Sequence, residues 1–158
     1  MRISDAKKSP LYSLMNDPSV FARGTDTIVF SCWQNNRLSL FLFSRDPSKY
    51  EYYLFARINR FKYVPKIHSL FHDAINNIYV VERECCNPIV QDRKLTRMEK
   101  IRFEVKHSQA DDPVTEEILK FYYANDNSYN HEFDFGTHWL MQDDHGKLVV
   151  TDAYTDKL

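Results

Sequence analysis

The chain of 158 residues suits one domain with a substantial core, and 43% hydrophobic with 15% aromatic residues excludes a disordered polymer. Only three glycines occur, which excludes a glycine-rich phosphate loop, a dinucleotide fingerprint and nucleotide hydrolysis by a P-loop route. The net charge of −1 hides a split: residues 1–66 carry eleven Lys/Arg against five Asp/Glu, residues 67–107 seven against six, and residues 108–158 three against eleven.

Ser9-Pro10 and Asp17-Pro18 both pair an N-cap residue with a proline in the first helical turn, so two short helical pieces are expected over residues 10–23, ended by Gly24. Residues 25–61 then read as a three-strand meander. Asn35-Asn36 separates two apolar runs and tolerates the positive φ of a two-residue hairpin, while Asp46-Pro47-Ser48 marks the second reversal. Leu38, Leu40 and Leu42 alternate with Phe41 and Phe43, the pattern of a central strand covered on both faces. The stretch from Tyr50 to Asn59 alternates as a third strand.

Pro65 opens an expected helix over 65–76, whose Ile67, Leu70, Phe71, Ala74 and Ile75 make an apolar stripe. Strand character returns at NIYVVEREC and again at MEKIRFEVKH, where Ile101, Phe103 and Val105 point inward. Asp112-Pro113 starts a helix over 113–124, and HWLMQ and KLVVTDAY flank the turn residues DDHG of a C-terminal hairpin. The whole reads as one α+β domain over 1–158, with a largely antiparallel sheet.

Cys85-Cys86 is not a C-x-x-C pair, and the odd count of three cysteines favours a reducing compartment. With no signal-like N-terminus and no membrane-length apolar run, a cytoplasmic location is expected.

Asp92, Glu104 and Lys106 offer a different chemistry. On a strand, Glu104 and Lys106 share a face, where the carboxylate holds Mg²⁺ with Asp92 or Glu84 and the ammonium steadies the attacking water. This arrangement resembles the D…E-x-K signature of restriction-endonuclease-like nucleases, and residues 65–142 follow that family's αβββαβ order. His68 and His72, four apart on the expected helix, are a candidate metal pair. No motif implies a cofactor.

The run YEYYLFARINRFKYVPK interleaves aromatics with cations. Tyr53, Phe55, Arg57, Arg60, Lys62 and Lys66 are its candidate contact residues, with rings stacking on bases and cations meeting phosphates. The acidic region from Asp111 to Asp156 would meet a basic partner.

With no strong catalytic constellation in view, the expectation is a non-enzymatic intracellular accessory protein of inhibitor, immunity or chaperone type. The α-β-β-β-α-β-β-α order at the front resembles small type III secretion chaperones. Its expected partner is another protein, with nucleic acid second and no membrane. A Mg-dependent nuclease and an RNA/DNA-binding protein are the alternatives.

Overall fold

The computed structural model of the chain describes residues 1–89, 92–124, 131–133, 139–151 and 154–156. They divide into two compact units, Met1–Leu54 with Lys66–Cys85, and Phe55–Pro65 with Cys86–Leu158. The class is α+β, as expected, with a five-stranded antiparallel sheet, helices and short C-terminal ladders. No described helix is long and apolar enough to cross a membrane.

The first unit begins with α1 (Ile3–Ala6) and α2 (Pro10–Leu14). Ser9 Oγ accepts the Leu11 N–H and Pro10 stands at the first position of α2. Strands β1 (Ser19–Arg23), β2 (Thr27–Gln34) and β3 (Arg37–Ser44) form the meander. Asn35 and Asn36 close the β2–β3 hairpin at φ 50° and 60°, the left-handed pair that a type I′ turn requires. Helix α3 (Ser48–Ile58) follows, its last turn falling in the second unit. Strands β4 (Ile67–Asp73) and β5 (Ile78–Glu84) complete the order β1-β2-β3-β5-β4, with β3 at the centre.

The pleat sorts side chains onto two faces. Ile28, Phe30, Phe41, Phe43, Ile78 and Val80 line one, where Ala6, Met15 and Tyr12 from the N-terminal segment cover them. Phe30 and Phe43 meet edge to face at 5.5 Å. The other face carries Val29, Ser31, Leu40, Leu42, Val81 and Arg83 in register, and α3 reaches it through Tyr50, 5.2 Å from the Tyr79 ring.

The second unit holds α4 (Asp92–Lys106), α5 (Pro113–Ala124), β6 (His131–Phe133), β7 (Leu140–Gln142), β8 (Leu148–Val150) and β9 (Tyr154–Asp156). Strand β7 pairs with β8 across a turn where Gly146 takes φ 75°, the glycine role expected of the DDHG tract. Strand β6 pairs with β9. Lys94 braces the hairpin by donating to Gln142 Oε1 at 2.5 Å and to the Gly146 carbonyl at 2.6 Å.

Four stretches depart from the sequence expectation. Residues 19–23 form strand β1 rather than a helix, and Gly24 serves the β1–β2 connection, its N–H donating to the Thr27 carbonyl at 2.7 Å. Residues 48–58 form α3 rather than a third strand, because Ser48, Tyr52, Tyr53 and Ala56 are the buried positions, a helical spacing that also buries two adjacent tyrosines. The expected helix over 65–76 is β4 with its hairpin: Asp73 Oδ1 accepts the N–H groups of Ile75 and Asn76, and Ile75 is 96% exposed instead of in a core stripe. MEKIRFEVKH belongs to α4, where Ile101, Glu104 and Val105 are buried and Phe103 is exposed.

Candidate functional site

The six residues of the basic and aromatic run do not form one surface. Tyr53 is fully buried in the first unit. Phe55 packs in the second unit, 5.6 Å from the Phe61 ring and 5.3 Å from that of Phe121. Arg57 is exposed in the last turn of α3, and Arg60 is exposed at φ 54°, just past its end. Lys62 and Lys66 are exposed, and their backbones are tied down: Glu117 accepts the Lys62 N–H at 2.7 Å, and Glu84 accepts the Lys66 N–H at 2.7 Å.

The D…E-x-K reading fails on geometry. Glu104 and Lys106 lie on helix α4, where two positions apart means divergent directions, and Lys106 is exposed while Glu104 is buried. The side chain of Asp92 lies outside the described residues. Glu104 works as an anchor for α5: its Oε1 accepts the N–H groups of Asp111 at 3.0 Å and Asp112 at 2.7 Å. Lys100 stands 3.7 Å from its other oxygen and 3.4 Å from Asp111. Asp112 then caps α5, accepting the Val114 N–H, while Arg97 binds it with two N–H groups at 2.8 and 2.9 Å.

The histidine pair also separates. His68 and His72 lie on β4, with a bulge between Ile67 and Ser69. His72 stacks on Tyr79 at 4.1 Å. Burial first, and then the charge of Arg37, hold His68 below the ordinary imidazole range. Among the described residues no group of three His, Cys, Asp or Glu is placed to hold a metal ion.

The sheet face opposite the N-terminal segment is the candidate site. Register aligns Ser19, Ser31, Leu40, Arg83 and Ile67 in one row across the five strands. Trp33 and Leu38 pair at the end of the β2–β3 ladder and remain 64% and 39% exposed. At this edge of the sheet a cavity of about 410 Å³ is lined by Asn16, Asp17, Ser19, Ser31, Cys32, Trp33 and Leu38, residues of both faces. An exposed indole, an aliphatic shelf and two hydroxyls suit a planar heteroaromatic ring with a polar edge. On β5, between Leu40 and Ile67 in that row, stands a buried cation, Arg83, which is 4% exposed and donates from Nη1 to the Glu84 carbonyl at 3.0 Å. Sequence reasoning passed over Arg83, because only the pairing of β3 with β5, some forty residues apart in the chain, sets it opposite Leu40.

No protein-family model matches the chain, and no curated protein sequence does. Solved structures do match in fold. Aminoglycoside phosphotransferase APH(4)-Ia superposes with a TM-score of 0.53 at 10% identity, over 98% of this chain and 74% of that one. A thermostable mutant of that enzyme in the apo form gives 0.51 at 9% identity, covering 97% of this chain and 72% of the other. Another mutant, in a ternary complex with ADP and hygromycin B, gives 0.53 at 10% identity, covering 96% and 72%. This kinase-like fold overturns the expectation of a non-enzymatic accessory protein of inhibitor, immunity or chaperone type, and with it the nuclease and RNA/DNA-binding alternatives.

Proposed function

We propose that the chain is a nucleotide-dependent phosphotransferase, which moves the γ-phosphoryl group of a nucleoside triphosphate to an acceptor hydroxyl. The observation that carries this reading is the β1-β2-β3-α3-β4-β5 order with helices following, superposable on APH(4)-Ia along nearly the whole chain. The APH(4)-Ia mutant crystallised with ADP and hygromycin B is a nucleotide-bound phosphotransferase of that fold. The Trp33 and Leu38 shelf supports the reading by offering a surface for the base.

In such a reaction the acceptor oxygen forms a bond to the γ-phosphorus as the bond to the bridging β-γ oxygen breaks, and the acceptor proton passes to a carboxylate base. Kinases take that base from a catalytic loop of the form H-R-D-L-x-x-x-N and hold Mg²⁺ with a later aspartate. The sequence offers Asp134 as the base and Asp152 for the metal; both lie outside the described residues. They flank the β7–β8 hairpin in the chain, and Thr151 donates to the Trp139 carbonyl at its base. Aligned on Asp134, that motif's His, Arg, Leu and Asn are replaced by Glu132, Phe133, Phe135 and Trp139, so the aspartate alone is kept, and Asp152 would be the carboxylate to hold Mg²⁺. The three unbridged thiols, Cys32, Cys85 and Cys86, fit a reducing cytoplasm, where nucleoside triphosphates are abundant.

The test has two stages. MgATP and MgADP should raise the melting temperature of the purified chain, and γ-labelled ATP with a panel of hydroxyl acceptors, protein and aminoglycoside, should yield labelled product. Asp134→Ala and Asp152→Ala should abolish transfer while leaving the fold intact by circular dichroism. Neither nucleotide stabilisation nor transfer in the wild-type chain would overturn the reading.

A further inference from the structure

We propose that the chain selects guanine over adenine, with Asp17, in the cavity at the β1 edge of the sheet, accepting the two N–H groups of the guanine edge; the assignment rests on the phosphotransferase reading above. The cavity, about 410 Å³, is of the size that holds small-molecule ligands. Its polar groups are free to meet one. Among the described residues, the side chains of Asn16, Asp17, Ser19 and Ser31 make no hydrogen bond.

The backbone beneath them is fixed. Gln34, at the end of β2, grips the segment before β1 twice: its Nε2 donates to the Leu14 carbonyl at 3.1 Å, and its Oε1 accepts the Asn16 N–H at 3.1 Å. The Cys32 thiol donates to the Asn16 carbonyl at 3.0 Å, and Met15 between them is buried in the apolar cluster. Asp17 then stands at φ 49°, in the left-handed region that aspartate enters more readily than most residues. Ser19 and Ser31 pair across the β1–β2 ladder, so their hydroxyls share a face. A site held this firmly loses little freedom when a ligand enters.

The chemistry of these groups distinguishes the purines. Guanine carries N1–H and its 2-amino group side by side, two donors that a carboxylate accepts with its two oxygens, as it accepts an arginine fork. Adenine sets the N1 lone pair beside its amino group, so the same carboxylate would meet one donor and one repelling acceptor. Guanine O6 lies next to N1–H, and the amide of Asn16, the neighbour of Asp17 in the cavity wall, is the donor for it. The indole of Trp33, paired with Leu38, is exposed to stack on the ring, which leaves the two serine hydroxyls for the ribose. A simple ammonium would satisfy Asp17 but leave the amide and both hydroxyls unused.

The experiment is titration calorimetry of the full chain with MgGTP, MgATP, MgITP and MgXTP, on the wild type, Asp17→Asn and Trp33→Ala. The wild type should bind MgGTP about ten- to hundredfold more tightly than MgATP, which leaves ATP a usable donor at saturating concentration. MgITP, which lacks the 2-amino group, should fall between. Asp17→Asn should lose about tenfold in affinity for MgGTP and gain about as much for MgXTP, whose 2-oxo group accepts the new amide N–H. Trp33→Ala should weaken all of the nucleotides about tenfold. MgATP bound as tightly as MgGTP by the wild type would overturn the assignment and leave the phosphotransferase reading standing. Loss of MgGTP binding in Asp17→Asn with no gain for MgXTP would overturn it too, since a carboxylate acting by charge alone behaves that way, as would undiminished binding by Trp33→Ala. If Asp17→Asn does not fold, the comparison of the four nucleotides on the wild type decides. A folded wild-type chain that binds none of the four would remove the phosphotransferase reading as well.

Discussion

Leu40 and Arg83 face each other across the β3–β5 ladder, an aliphatic side chain on the central strand directly opposite a buried guanidinium. A negative charge introduced at position 40 therefore gains a counter-charge on its own face. Phe43 is equally buried, but Val80 stands opposite it in the apolar cluster. Leu40→Asp should destabilise the chain less than Phe43→Asp, by about 1–3 kcal/mol, because only the second leaves a buried charge with nothing to pair with. Urea denaturation followed by circular dichroism measures the gap, and equal losses would count against the Leu40–Arg83 register.

Glu104 is expected to matter for stability. It receives two backbone N–H groups at the start of α5, so Glu104→Ala orphans both donors in a region where Asp112 is also buried. The expected loss is about 2–4 kcal/mol, whereas Glu104→Gln keeps an acceptor and should lose about 1 kcal/mol. Thermal and urea unfolding of the two variants check this. An alanine variant as stable as wild type would remove Glu104 from its anchoring role.

Local chemistry was readable where it does not depend on partners. Asn35-Asn36, Asp112-Pro113 and Gly146 all take the conformations their side chains favour, and each bounds a correctly placed element. Longer patterns misled where two periods fit the same residues. Tyr50 to Asn59 alternates like a strand, yet the buried positions Ser48, Tyr52, Tyr53 and Ala56 recur at helical spacing. Ile67 to Asp73 matches a helical stripe, yet it pairs with β5 as a strand on which Asp73 is the buried residue. The candidate site was less visible still. Leu40 was correctly placed on a central strand, but Arg83 joins its row only through the pairing of β3 with β5, and one glycine between β1 and β2 leaves no loop motif. The kinase-like fold therefore lacked the short signals by which a sequence announces it.

The cysteines should react in an order set by burial. Burial pushes the Cys32 thiol up, outweighing its bond to the Asn16 carbonyl at 3.0 Å, so little thiolate forms at neutral pH. Cys86 is buried as well, while Cys85 is only half-buried. Iodoacetamide labelling of the native chain, read by peptide mass spectrometry, should modify Cys85 first and Cys32 and Cys86 only as the chain unfolds. Faster labelling of Cys32 than of Cys85 would contradict this burial pattern.

The bond between Arg97 and Asp112 should make stability depend on acid in a defined direction. Burial pushes the Asp112 carboxyl up, but the Arg97 guanidinium and the Val114 N–H outweigh it and hold the carboxyl below the usual carboxylate range. A depressed folded-state pKa means that the unfolded chain takes up the proton first. The contribution is therefore complete above the unfolded value, near pH 4, and is lost as pH falls through the lower folded value. Asp112→Asn keeps an oxygen to cap α5 but gives up the ion pair, and Arg97 is partly exposed, so the expected loss near neutrality is about 1–2 kcal/mol. Between pH 5 and 8 the stability gap between wild type and Asp112→Asn should stay level, and below about pH 4 it should close. Denaturation series at fixed ionic strength supply the comparison; a gap that widens in acid would mean that Asp112 is held above its ordinary range, the reverse of what the paired guanidinium imposes.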